Sequence, residues 1–401
     1  MPTVFTAAHL WDGDSLLEHP ILAVEDGRIL SISTRATAES PSTPNTLDFP
    51  NATLAPSFLD VHIHGASNHD VMEATPAALD SIGRFLASRG TGHYLATTVT
   101  APVDDTLRSL SALAKLLNKP ADESPIARPV GIHLEGPFLS HLKRGVHPPE
   151  HLQPANIALF DRLYDAAEGH VRLMTLAPEL PGAPALATHA TSRSVRVSVG
   201  HSNATAAETR AVIAAGAVSA THTFNAMRPL DHREPGILGV ALSEDSLYAE
   251  HICDGIHTTP EIVRIWSRCK GPHRGLLVTD AMSATGMPDG EYRLGGLTVT
   301  VANGRATSGD VLAGSVLTLD RALANFLRFT GSSLEHGLRL LTTNPAAMIG
   351  LSGLPDSASS TRPAGLPAPV GHHAPGIPAN FVAINPDGSL AASFVRGQQA
   401  S

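Results

Sequence analysis

Phe58 to Gly65 reads FLDVHIHG, an apolar run broken by two histidines one residue apart and closed by a glycine. Alternate residues of a β-strand point to the same face, so His62 and His64 project together from the end of one strand. Two imidazoles on one face form a metal-ligand geometry. The pair alone equally fits a plainer role, one ring packed in the core and the other hydrogen-bonded. Only further ligands elsewhere in the chain decide between the two.

Outward from this stretch, from about residue 56 to 350, short apolar runs alternate with stretches such as TPAALDSIGRFLASRG and NATAAETRAVIAAG, whose apolar residues recur at helical spacing. The alternation predicts a parallel sheet with crossover helices. Eight runs are visible: FLDVHIH, HYLATTV, PVGIHLE, VRLMTLA, VRVSVGH, AVSATH, LYAEHIC and GLLVTD. They predict an α/β fold of the (β/α)8 TIM-barrel type. The fourth and seventh runs are the least marked, and a doubly wound sheet is the alternative. Both chain ends read differently. ILAVEDGRILSIS places Asp26-Gly27 between alternating apolar positions as a hairpin signal, and GIPANFVAINPDGSLAASFVRG repeats that style around Pro386-Asp387-Gly388. A Pro/Gly/His-rich loop over about 355 to 378 precedes the second piece. The expectation is one small β-domain from residues 1–55 and 355–401, with the barrel over residues 56–354.

Composition limits the function classes. The 401 residues, 42% hydrophobic and 16% charged, describe a globular chain with room for a barrel and a smaller companion. A net charge of −9 without a basic cluster argues against nucleic acid as partner. No segment reaches the roughly 20 uninterrupted apolar residues of a membrane span. Cys253 and Cys269 form no disulfide framework, and MPTVFTAAHLWDGD lacks a basic, apolar leader, so the expected location is the cytoplasm. The 21 histidines, against lysines at 115, 119, 143 and 270 only, are the unusual feature.

Polar residues that end the apolar runs explain part of it. The first run ends in His62 and His64, the third in Glu135, the fifth in His201, the sixth in His222 and the eighth in Asp280. In a barrel these all meet at the C-terminal mouth, where barrel active sites gather. Imidazole with carboxylate is the ligand set of zinc and other divalent transition metals.

The sequence also resembles the N-acetylglucosamine-6-phosphate deacetylases of the amidohydrolase superfamily. The resemblance runs from about residue 50 to 350 through PSFLDVHIHG, GIHLEGPFLS, RGVHPPE, VGHSNAT, THTFNAM, HREPG, CDGIH, LVTDAMSATG and LAGS. It implies a (β/α)8 barrel with a small β-sandwich from both chain ends, and hydrolysis of the acetamide of N-acetyl-D-glucosamine 6-phosphate. Departures are Ser57 where glycine is common, Thr223 where an apolar residue is common, and Asn380 where aspartate is common.

Carried onto matching positions, the resemblance makes Glu135, His201 and His222 ligands of a principal metal, most simply Zn2+. His62 and His64 then form a second-metal pair sharing Glu135, giving one or two ions per subunit. Lys115, Lys119, Lys143 and Lys270 all lie outside the runs, so no bridging carboxylated lysine is expected. Asp280 becomes the general base and acid, and His147 polarises the acetyl carbonyl. Asn225, Ala226, Arg233 and His257 bind the sugar phosphate, one cation reaching across the interface of a homodimer with a shared active site. His251, His372 and His373 match no role and read as solvated surface. A deacetylase of N-acetylgalactosamine 6-phosphate, another amidohydrolase, or a non-catalytic metal-binding barrel are the alternatives.

Overall fold

Each of the eight apolar runs is a strand. The computed structural model describes residues 2–35, 45–119, 124–352 and 370–401. Its barrel strands are β1 (Phe58–Ile63), β2 (Thr91–Thr98), β3 (Arg128–Glu135), β4 (Val171–Leu176), β5 (Arg196–Val199), β6 (Ala217–Ala220), β7 (Tyr248–Ile252) and β8 (Gly275–Val278). Each pairs in parallel with the next. A parallel bridge between Ile63 and Ala281 brings the last strand's end against the first. The Asp280 N–H donates to His62 O at 2.9 Å and the His64 N–H to Ala281 O at 2.8 Å. The sheet therefore closes through the backbone of the residues singled out above.

The helices form for local reasons that the sequence displays. In Pro76–Ser88 the Thr75 hydroxyl caps Ala78 N and proline occupies the first turn, while Ala78, Leu79, Ile82, Leu86 and Ala87 are buried at helical spacing. Thr205 and Glu208 form a capping box at the start of Ala206–Ala214. Strand alternation then sorts side chains: Asp60, His62 and His64 share one face of the first strand, and His133 and Glu135 share one face of β3. All five are buried. Beneath them His133 Nε2 meets Thr175 Oγ1 at 2.9 Å, Thr175 meets Thr221 at 3.0 Å, and Thr221 donates to Ser198 at 2.7 Å. The barrel interior is thus hydrogen-bonded polar packing that supports the mouth.

Both chain ends join one sheet. Phe381–Ile384 pairs antiparallel with Thr46–Pro56, which pairs in parallel with Thr3–Trp11. Phe5, Phe381 and Phe394 pack together in its core, with ring centroids 4.7–5.0 Å apart. The Asp26-Gly27 hairpin is present between Pro20–Glu25 and Arg28–Thr34. The expected loop over 355–378 lies in part outside the described residues.

Two findings differ from the sequence reading. Residues Gly290–Leu294, Leu297–Ala302, Arg305–Ser308 and Val311–Leu312 form a separate antiparallel sheet inserted after the last barrel strand, with its own core around Leu294, Val299, Val301 and Ala306. The regular βα alternation did not predict it. Its signals are local: Gly295-Gly296 and Asn303-Gly304 each link two alternating strands, and Asn303 and Gly304 have φ of 52° and 76°. His251 and His373, expected on the surface, are buried, and His372 is half-buried. His251 follows an inward-facing residue on β7 and so faces outward, where its ring stacks on Trp266 with centroids 4.7 Å apart. The His373 ring lies edge-on to Phe381, and its backbone N–H donates to Asp12 O at 2.7 Å.

Candidate active site

The six groups at the strand ends converge. One Glu135 oxygen, Oε1, lies 3.3 Å from His62 Nε2, 3.2 Å from His201 Nε2 and 3.1 Å from His222 Nε2. The other, Oε2, lies 3.2 Å from His64 Nε2 and 3.6 Å from His147 Nε2. Asp280 Oδ1 is 3.1 Å from His64 Nε2 and 3.6 Å from His62 Nε2. His201, His222 and Asp280, all non-glycine, hold φ of 46°, 25° and 51°. Left-handed backbone is costly for such residues and concentrates at functional sites. Gly314 of LAGS is forced by the same cluster, since a Cβ there would stand 2.9 Å from Asp280 O.

Hydrogen-bond partners sort the imidazoles into two kinds. His64 Nδ1 faces Thr97 O at 3.1 Å, His201 Nδ1 faces Lys143 O at 3.0 Å, and His62 Nδ1 faces Glu250 Oε2 at 3.1 Å. Each must donate from Nδ1, which in a neutral ring leaves a lone pair on Nε2. His62 Nε2 is buried and lies out of line for a hydrogen bond. His201 and His222 bring their Nε2 atoms to 3.0 Å from each other. The Nε2 lone pairs of His62, His64 and His201 thus face carboxylate oxygens, an arrangement that a divalent ion would stabilise. His147 is of the opposite kind. The Thr100 N–H donates to its Nδ1 at 3.3 Å, with Thr100 Oγ1 at 2.8 Å, so Nε2 carries the proton.

The charges agree. Burial lowers His62 and His64, but Glu135 and Asp280 outweigh it and raise both, His64 to about 9. Burial raises Glu135 and Asp280, but His62 with the neighbouring imidazoles holds both carboxyls well below their usual range. Burial dominates at His201 and lowers it to about 4. The ligand-rich side groups as His62, His64 and Asp280, and as Glu135, His147 and His201.

These residues open into a cavity of about 390 Å3 lined also by Asn225, Ala226, His257 and, from the inserted sheet, Leu294, Val311 and Leu312. His257 Nδ1 is 2.6 Å from Asp254 Oδ2. Arg233 does not line this cavity; it is exposed on the loop after Asp231. A larger cavity, about 480 Å3, lies near the opposite strand ends beside Gly92 and Arg128, away from this cluster. Glu250, which sequence reading missed, stands mid-run in LYAEHIC, whereas Glu135 and Asp280 end their runs.

Comparison with known proteins decides the family. An N-acetylglucosamine-6-phosphate deacetylase of Bacillus subtilis strain 168 is 34% identical over 344 residues, 84% of this chain and 85% of its own. The chain belongs to the N-acetylglucosamine-6-phosphate deacetylase family. An N-acetylgalactosamine-6-phosphate deacetylase of Escherichia coli O157:H7 is 34% identical over 403 residues, 100% of both chains. A variant of the Mycobacterium smegmatis N-acetyl-D-glucosamine-6-phosphate deacetylase, solved with N-acetyl-D-glucosamine 6-phosphate, superposes with a TM-score of 0.87 at 34% identity, covering 100% of this chain and 99% of its own. No family model matches the chain.

Proposed function

We propose that the protein hydrolyses the acetamide of N-acetyl-D-glucosamine 6-phosphate to D-glucosamine 6-phosphate and acetate. The observation that carries this reading is one cavity joining the Glu135 cluster to His147, Asn225, Ala226 and His257. Family membership supports it. Glu135, His201 and His222 would hold a principal divalent ion, Zn2+ on our reading, and His62 and His64 with Glu135 a second. Such an ion, when bound, supplies Lewis acidity that lowers the pKa of water from 15.7 toward roughly 7.

The chain's own groups do the rest. Asp280 takes the attacking water's proton on a carboxylate oxygen and passes it to the departing amine nitrogen. His147 Nε2–H points its proton at the acetyl oxygen and stabilises the charge that develops there. Asn225 and the Ala226 backbone orient the sugar. His257, paired with Asp254, meets the phosphate. Arg233 reaches the phosphate of a neighbouring copy, which its exposure outside its own cavity supports, so the working unit is a homodimer with shared sites. Residues 1–55 with 355–401 and residues 56–354 form its two domains, a division supported by the pairing of both ends in one sheet.

A cytoplasmic location is part of the same reading. No helix among the described residues is long and apolar enough to cross a membrane. The full-length match to the galactosamine enzyme favours one second reading, the 4-epimer as substrate. Acetate release from both phosphosugars, from a cyclic imide and from unphosphorylated N-acetylglucosamine tests both. The glucosamine phosphate is expected to give the highest kcat/KM. Preference for the galactosamine phosphate selects the second reading, and turnover of the cyclic imide alone overturns both.

A further inference from the structure

We propose that Glu250 is the positioning residue that makes His62 a ligand of the second ion, an inference that rests on the two-ion reading above. Glu250 lies on β7, where alternation turns it into the barrel while His251 turns outward onto Trp266. It is fully buried. A buried carboxylate is costly unless hydrogen-bonded, so the bonds it makes define its role. Its Oε2 accepts from His62 Nδ1 at 3.1 Å and from the His222 backbone N–H at 3.2 Å. Its Oε1 makes no hydrogen bond among the described residues.

The first bond fixes the tautomer of His62, leaving the Nε2 lone pair aimed at the space between Glu135 Oε1 and Asp280 Oδ1, 3.3 and 3.6 Å away. His64 and His201 use neutral carbonyls, of Thr97 and Lys143, for the same purpose. A carboxylate in that place makes the imidazole a stronger donor to a metal than a carbonyl does. Because the same oxygen also holds the His222 backbone, one residue joins the second ligand pair to the principal set.

The test is Zn2+ affinity, read by competition with a chromophoric chelator, for the parent, Glu250→Gln and Glu250→Ala. The parent is expected to hold two ions. Removing such a ligand partner typically costs 10- to 100-fold in metal affinity, so one ion should be held about 100-fold more weakly in Glu250→Ala and about tenfold more weakly in Glu250→Gln, which keeps an acceptor but loses the charge. In a His62→Ala background, adding Glu250→Gln, which can still accept from the His222 backbone N–H, should leave the remaining ion's affinity unchanged, because the charge of Glu250 acts through His62. Parent-like affinity for both ions in the folded Gln variant overturns the proposal, even if the Ala variant does not fold. So does further loss of the remaining ion in the double variant, or a parent that holds one ion only. A parent holding no transition-metal ion would instead fail the metal-dependent reading itself.

Discussion

At the scale of single residues, the site was legible because imidazoles and carboxylates stand out at the ends of apolar runs. His62, His64, Glu135, His201, His222 and Asp280 all come together, as does His147 from a loop. Glu250 was hidden because a carboxylate in mid-strand reads as part of the run, and only the three-dimensional register shows that it faces His62. The tautomers were equally invisible, since backbone carbonyls and amides set them. Asp280→Asn keeps the shape but cannot take the water's proton. It should retain the fold and metal content and lower kcat by the ~10²- to 10⁴-fold typical of a lost general acid/base. Single-turnover acetate release checks this, and a kcat within a fewfold of the parent assigns the proton to another group. His201→Ala and His222→Ala should each remove the principal ion and the activity together. His62→Ala and His64→Ala should cost mainly the second ion, as elemental analysis of the purified variants will show.

At the scale of elements, the eight barrel strands were visible because each is a short apolar run between helical stretches. The inserted sheet was missed because its strands are half-exposed and its turns read as loop text. It supplies an apolar wall of Leu294, Val311 and Leu312 to the cavity. Leu312→Ala removes contact area worth about 1 kcal/mol, so kcat/KM should fall about fivefold with metal content unchanged. Steady-state kinetics beside metal analysis decides this, and an unchanged kcat/KM separates the sheet from substrate binding. The alternation that sends Glu250 inward buries His251 on the other face, and burial lowers its pKa from 6.5 to about 3. Below pH 6.5 the unfolded chain takes up a proton there that the folded chain refuses. Stability present above that pH is therefore lost as pH falls toward 3, by up to about 1.4 kcal/mol per unit. Urea unfolding of metal-free parent and His251→Phe between pH 6.5 and 5 should show a slope shallower by one proton in the variant. Parallel slopes would mean that His251 is not held neutral.

At the scale of the whole molecule, sequence style separated the β-rich ends from the barrel, because hairpin turns and βα repeats leave different patterns. What one chain cannot display is a neighbour. Arg233 is exposed and outside its own cavity, so on the proposed dimer reading it would meet the phosphate of a neighbouring copy. Arg233→Ala should lower kcat/KM for the phosphorylated sugar by about one to two decades, the ~1.5–3 kcal/mol of a charge-assisted bond, and leave the free sugar nearly unchanged. Mixing the impaired Asp280→Asn and Arg233→Ala chains should raise activity on the phosphorylated sugar above that of either alone, through hybrid dimers with one intact site; no gain would place Arg233 in its own subunit's site. The convergence of imidazole lone pairs on Glu135 makes positive charge a requirement of the whole design, and this is the claim most open to a direct test. Protein stripped by a chelator, then reloaded with Zn2+, is assayed for acetate release from N-acetylglucosamine 6-phosphate. The account predicts loss of activity on stripping and its return on reloading; full activity in the metal-free protein would contradict it.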